Sequence, residues 1–162
     1  MKLHTLLLAA ALALPTAAFA QMAPAAAPDM KIYATSAEVQ ALIAKAKAMP
    51  AKPLIIQPIL SLAPYSASLE YRAGEAAPAS VHDTNAELMY VLEGSGTLVD
   101  GGTLIDAKAS NGNSSGSGVK AGTSHPLAKG DFAMVPQGVA HQLVPAAGQA
   151  LILMTFKAPR GK

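Results

Sequence analysis

The sequence predicts an all-β barrel preceded by a single helix, and three observations carry that prediction. From Leu54 onward the apolar residues fall in short runs separated by Gly and Pro, the signature of many short strands. Only one segment ahead of them has helical spacing. The composition, 51% hydrophobic but 4% aromatic and 14% charged over 162 residues, suits one compact domain behind an Ala-rich leader. The same composition excludes several function classes. Without cysteine there is no disulfide, thiolate nucleophile, Cys-ligated zinc or iron–sulfur cluster, so any metal must sit on His and carboxylate. Twelve Lys and Arg against ten acidic residues, scattered along the chain, give +2, which is not the electrostatic footprint of a nucleic-acid binder.

The elements follow in order. Lys2, the nine apolar residues Leu6 to Leu14, Pro15 and the small-x-small sequence Ala18-Phe19-Ala20 predict a signal peptide over 1–20, cleaved after Ala20. The run is too short to span a bilayer, which takes roughly 20 residues, so the expectation is a periplasmic or secreted protein with no membrane anchor after cleavage. Residues 21–34, with Pro24, Pro28 and many alanines, offer too little bulky apolar surface to offset chain entropy and predict a disordered leader. Thr35-x-x-Glu38 is a capping box, and Val39, Leu42, Ile43 and Ala46 recur at helical spacing until Pro50, giving an amphipathic helix over 35–49.

The barrel is expected over 54–158, with runs at Leu54 to Leu62, Ala67 to Tyr71, Leu88 to Leu92, Thr97 to Val99, Phe132 to Val135 and Leu151 to Phe156. Gly94-Ser95-Gly96 and Asp100-Gly101-Gly102 read as tight turns between strands. No helical pattern follows Gly96, so the first of these is not a phosphate loop. Residues 106–122 are polar and rich in Gly and Ser, and predict a long flexible insertion that contributes nothing apolar to the core and could be shortened without unfolding the barrel.

Two segments place His and Glu at strand edges flanked by Gly and Pro. The first runs from Gly74 through His82 and Glu87 to Gly94; the second runs from Gly130 through Pro136 and Gly138 to His141. Here the sequence resembles the cupin superfamily, whose motifs are G-x5-H-x-H-x4-E-x6-G and G-x5-P-x-G-x2-H-x3-N. Gly74, His82, Glu87 and Gly94 match the first with its spacing intact, and Gly130, Pro136, Gly138 and His141 match the second. Ser80 stands in place of the leading histidine and Pro145 in place of the final Asn, so the four-ligand site of the family is reduced. The resemblance spans roughly Leu54 to Phe156 and implies a double-stranded β-helix barrel of the jelly-roll kind, often a homodimer.

Strand parity supports a site at these positions. Glu87, Met89 and Val91 share one face of their strand, and Ser80 and His82 share a face of theirs. Two neutral imidazoles and a carboxylate form the donor set of non-haem Fe(II) centres and also suit Mn, Ni, Co or Zn. The expected ligands of one divalent transition metal are therefore His82, Glu87 and His141. Ser80 would leave a coordination position open to water or substrate, and Met89 would lie close by, as core packing or as a further contact at that open position. Asp83 has the wrong parity to join, and His125 reads as a loop residue outside both motifs. Tyr90 should point outward; of Tyr71 and Arg72, one should face in. Two functions compete. One is an exported small-molecule enzyme of the oxygenase or isomerase/lyase type; the other is a non-catalytic binder of a small molecule or metal.

Overall fold

The computed structural model describes residues 30–50 and 52–159. The expected signal peptide and the leader up to residue 29 lie outside the described residues. Helix α1 spans Ser36–Ala48 with Thr35 as its N-cap. The Thr35 hydroxyl accepts the Glu38 N–H at 3.1 Å and the Glu38 carboxylate accepts the Thr35 N–H at 2.7 Å, which satisfies two otherwise orphaned donors. The helix buries Ile43 and Ala46 against β1 (Ile55–Leu62) and β2 (Tyr65–Ala73), and the Gln57 amide pins it by donating to the Leu42 carbonyl at 3.0 Å.

One curled sheet of ten strands makes the barrel. Its first layer joins β1, β2, β12 (Ala150–Pro159), the first half of β4 (Asn85–Asp100) and β10 (Phe132–Val135), all antiparallel. The second layer joins β9 (Thr123–Ala128), the second half of β4, β11 (His141–Pro145), β3 (Ala79–His82), β7 (Asn113–Gly116) and β6 (Lys108–Ser110). A separate ribbon pairs β5 (Thr103–Ile105) with β8 (Gly118–Lys120).

Alternation along β12 divides the core in two. Leu151 and Leu153 point between the layers, where they meet Met89, Val91, Leu98, Leu127, Val135 and Leu143. Ile152 points the other way, to Ile43, Ala46, Ile55, Ile59, Ala67 and Leu69 beneath the helix. The helix therefore covers the outside of one layer and leaves the barrel interior to the strands.

Three expectations are corrected. Gly94-Ser95-Gly96 is not a turn: β4 runs through it as one strand of 16 residues. Its register with β12 slips by one residue between Glu93 and Val91, and Gly94 sits at φ +79°, where a Cβ would collide with the Ala150 carbonyl. A bulge of this kind bends a strand, which lets β4 serve both layers. Asp100-Gly101-Gly102, by contrast, is the expected turn, between β4 and β5.

The expected flexible insertion, 106–122, is instead built into the sheets as β6, β7 and β8. Its Ser and Gly residues carry no apolar signal, yet β7 pairs with β3 at all four positions, from Ala79 opposite Gly116 to His82 opposite Asn113. Main-chain hydrogen bonds hold this region, and they are blind to side-chain hydropathy. The segment is therefore sheet rather than loop. The described end of the expected disordered leader is likewise held: Lys31 exchanges both backbone hydrogen bonds with Ser61 at 2.9 Å.

Candidate metal centre

Three strands, β3, β4 and β11, bring His82, Glu87 and His141 together. His82 ends β3, Glu87 lies on the inner face of β4 just after the turn at Asp83-Thr84, and His141 opens β11. The turn carrying Pro136-Gln137-Gly138 ties the two motifs to one another. Gly138, at φ +76°, donates its N–H to the His82 carbonyl at 2.9 Å, and the Gln137 amide donates to the Asp83 carbonyl. The positive φ is why Gly stands there: it aims that N–H at β3 without a side chain resisting the turn.

Both imidazoles turn their Nε2 atoms to the same carboxylate oxygen. His82 Nε2 lies 3.3 Å and His141 Nε2 3.2 Å from Glu87 Oε2, and the two rings are 5.3 Å apart at 52°. Their Nδ1 atoms are engaged elsewhere, His82 with Asn113 Oδ1 at 2.7 Å and His141 with the Val139 carbonyl at 3.2 Å. Both partners are acceptors, so Nδ1 keeps its proton while Nε2 faces inward, donating to Glu87 when protonated and presenting a lone pair to a metal once that proton is lost, the arrangement that prepares histidines as metal ligands. One ligand atom from each residue lies within 4.8 Å of the others. Donors set at right angles around a metal with bonds of about 2.1 Å are about 3 Å apart, so the carboxylate–imidazole spacings fit one transition-metal ion.

The electrostatics agree with that geometry. Burial works to raise the Glu87 pKa, but hydrogen bonds from His141 and His82 outweigh it and hold the carboxyl far below its ordinary range. The hydrogen bond to Glu87 raises the His82 pKa, against the opposing effect of burial. The site therefore keeps a charged carboxylate in a place 4% exposed. A buried carboxylate demands a positive partner, which protonated imidazole or a metal ion can supply.

The remaining residues sort as follows. Ser80 lies opposite His141 in register and shares His82's side of β3. Met89 is 1% exposed and packed in the interior core below Glu87. Asp83 is exposed and outside the cluster. His125 is a strand residue on β9, not a loop residue, and bonds Asp100 at 2.9 Å away from the three. Tyr90 alternates away from Glu87 and packs its ring against Phe132, with centroids 4.5 Å apart. Arg72 is the inward member of its pair: it bonds the buried Glu70 at 2.7 Å, while Tyr71 packs toward the helix.

The interior is more polar than the sequence reading allowed. Glu70, Arg72, Thr155 and Lys157 all share its face, and none lies in a cupin motif. Period-2 parity from Leu153 would have signalled Thr155 and Lys157. Asn113 gave no signal at all, because its role depends on a pairing with β3 across 31 residues. An apolar concavity of about 250 Å³ beside Ile32, Leu60, Tyr65 and Phe156 lies away from the three ligands.

No protein-family model matches the chain, and no curated protein matches it by sequence. Solved structures do resemble it. A protein of Thermus thermophilus superposes with a TM-score of 0.52 at 18% identity, over 72% of this chain and 95% of the other. A conserved protein with a double-stranded β-helix domain from Klebsiella pneumoniae superposes at 0.53 and 15% identity, over 71% and 85%. FeII HppE superposes at 0.52 and 14% identity, over 66% of this chain and 52% of that one. The chain thus has a double-stranded β-helix fold.

Proposed function

From a chain of cupin fold, we propose an exported metallocupin that holds one divalent transition metal on His82, Glu87 and His141 and transforms a small organic molecule by oxygenase or isomerase/lyase chemistry. The observation that carries this reading is the pair of engaged Nδ1 atoms, which leaves two Nε2 atoms and one charged carboxylate oxygen convergent. The solved structure of FeII HppE, on the same fold, supports iron as one candidate alongside Mn, Ni, Co and Zn. A bound metal of this kind supplies Lewis acidity, and a redox-active one adds electron transfer. The chain's own contribution is to fix three donors, exclude water with the Met89 and Val91 core, and leave the Ser80 side without a protein ligand.

Catalysis is favoured over simple storage by that open side, since Ser80 is a poor ligand when neutral. Export rests on the N-terminal sequence. Homodimer formation is supported by Phe132 and Met134, 68% and 64% exposed on β10, an apolar surface that a second copy would cover.

Anaerobic titration with Fe(II), Mn, Ni and Zn tests the centre. His82→Ala and His141→Ala should each weaken binding by at least about 100-fold, and Glu87→Gln nearly as much, because two donors hold a labile ion poorly against water. Ser80→His should tighten it by adding a fourth donor. Metal affinity indifferent to His141→Ala would sink the reading.

A further inference from the structure

Among the described residues, one charged side chain near the centre has no counter-ion. Lys157 on β12 stands directly opposite Glu87 on β4, and opposite Ser66 on β2. Cross-strand partners hold their Cβ atoms about 5 Å apart on one face of the sheet. Parity with Thr155 and Leu153 puts Lys157 on the interior face, at the row that carries the expected ligand. It is half-buried, and among the described residues no carboxylate lies within 4.0 Å of its ammonium. The other interior cation, Arg72, is matched by Glu70 at 2.7 Å. Glu87 is already taken up by two imidazoles.

The placement has an electrostatic cost. Lying directly across from Glu87, the Lys157 charge would oppose a divalent ion held there. An anion lying between the two positive centres would be favoured by both charges at once. We infer that Lys157 binds an oxyanion of the substrate, a carboxylate or a group of the same charge and shape, next to the ion held by His82, Glu87 and His141. The substrate class is then a small organic acid, with the Ser66 hydroxyl at the same row as a further polar group. This inference rests on the metal reading proposed above.

Acetate and acetamide, alike in shape and different in charge, separate charge recognition from fit. With Co(II)-loaded protein, the visible spectrum of the ion reports both metal binding and ligand approach. The full chain should bind acetate at least about tenfold more tightly than acetamide, Lys157→Arg should keep that preference, and Lys157→Met should lose it. Lys157→Met should also bind Co(II) at least as tightly as the parent, which shows that the variant is folded and that the lost preference is not a lost metal. A parent with Co(II) bound but no preference for acetate, or a preference that survives in Lys157→Met, overturns the role of Lys157 alone. A parent that takes up no Co(II) overturns the metal reading and this inference with it.

Discussion

Glu70 and Glu87 are both 4% exposed and both lie on the interior face of the barrel, yet their surroundings assign them opposite tasks. Glu70 is opposite Leu153, which is opposite Val91, so the two residues are offset by four positions along the strand direction, roughly 13 Å, and by two strands across the sheet, roughly 10 Å. Arg72 gives Glu70 two hydrogen bonds, at 3.0 and 2.7 Å, and Thr155 donates a third at 3.3 Å. A guanidinium keeps its charge at every ordinary pH and has no lone pair to offer, so this carboxylate is permanently neutralised in place. Glu87 faces imidazoles, which can give up their protons and present lone pairs to a metal. The difference is one of partner chemistry rather than burial: equal desolvation makes a structural ion pair at one end of the barrel and a candidate ligand set at the other.

Breaking the permanent pair should have the largest effect. Arg72→Met leaves Glu70 charged and without its main partner, which costs about 3–5 kcal/mol in a buried setting. Chemical denaturation of the metal-free protein measures it. Metal affinity should be unchanged, since sites this far apart without shared partners behave independently. A variant that loses metal affinity while retaining stability would mean the two carboxylates are coupled.

A smaller effect is expected on the other side of the comparison. Asn113→Ala removes the acceptor that holds the His82 Nδ1 proton, and metal affinity should fall about 10–100-fold with the fold intact. Metal titration checks the affinity, and near-unchanged denaturation shows that β7 still pairs with β3. Asn113→Asp, which keeps an acceptor at the same place, should retain most of the binding.

The mildest test is pH, and its sign follows from the two shifts. His82 is raised above its ordinary 6.5 by its bond to Glu87, so its contribution to metal-free stability is fully present below that value and fades as pH rises through the raised one. Glu87 is depressed below 4.5, so its contribution is present above that value and fades as pH falls through the depressed one. The pair therefore supports the metal-free fold most between about 4.5 and 6.5, which thermal unfolding across pH would register. Metal affinity should move the other way and rise with pH above that window, because the proton and the metal compete for Nε2.

Much of this molecule follows from local pattern. Thr35 and Glu38 fix the start of α1 through hydrogen bonds three residues apart, and alternation at Glu87, Met89 and Val91 fixes which face of β4 is buried. The spacing from Gly74 to Gly94 and from Gly130 to His141 identifies three residues that the fold does bring together. These are short-range facts: a capping bond or a pleat repeats within a few residues, so sequence carries them whole. What the tertiary structure alone decided is pairing. Nothing in Gly94-Ser95-Gly96 distinguishes a turn from a bulge until Ala150 lies against it. Nothing in the polar stretch at 106–122 marks Asn113 as the partner of His82, and Glu70, Arg72 and Lys157 acquire their meaning from the neighbours across β2, β12 and β4. Backbone hydrogen bonds between distant strands require only N–H and C=O groups, which every residue but proline provides, so register across the sheet leaves almost no mark on the sequence that adopts it.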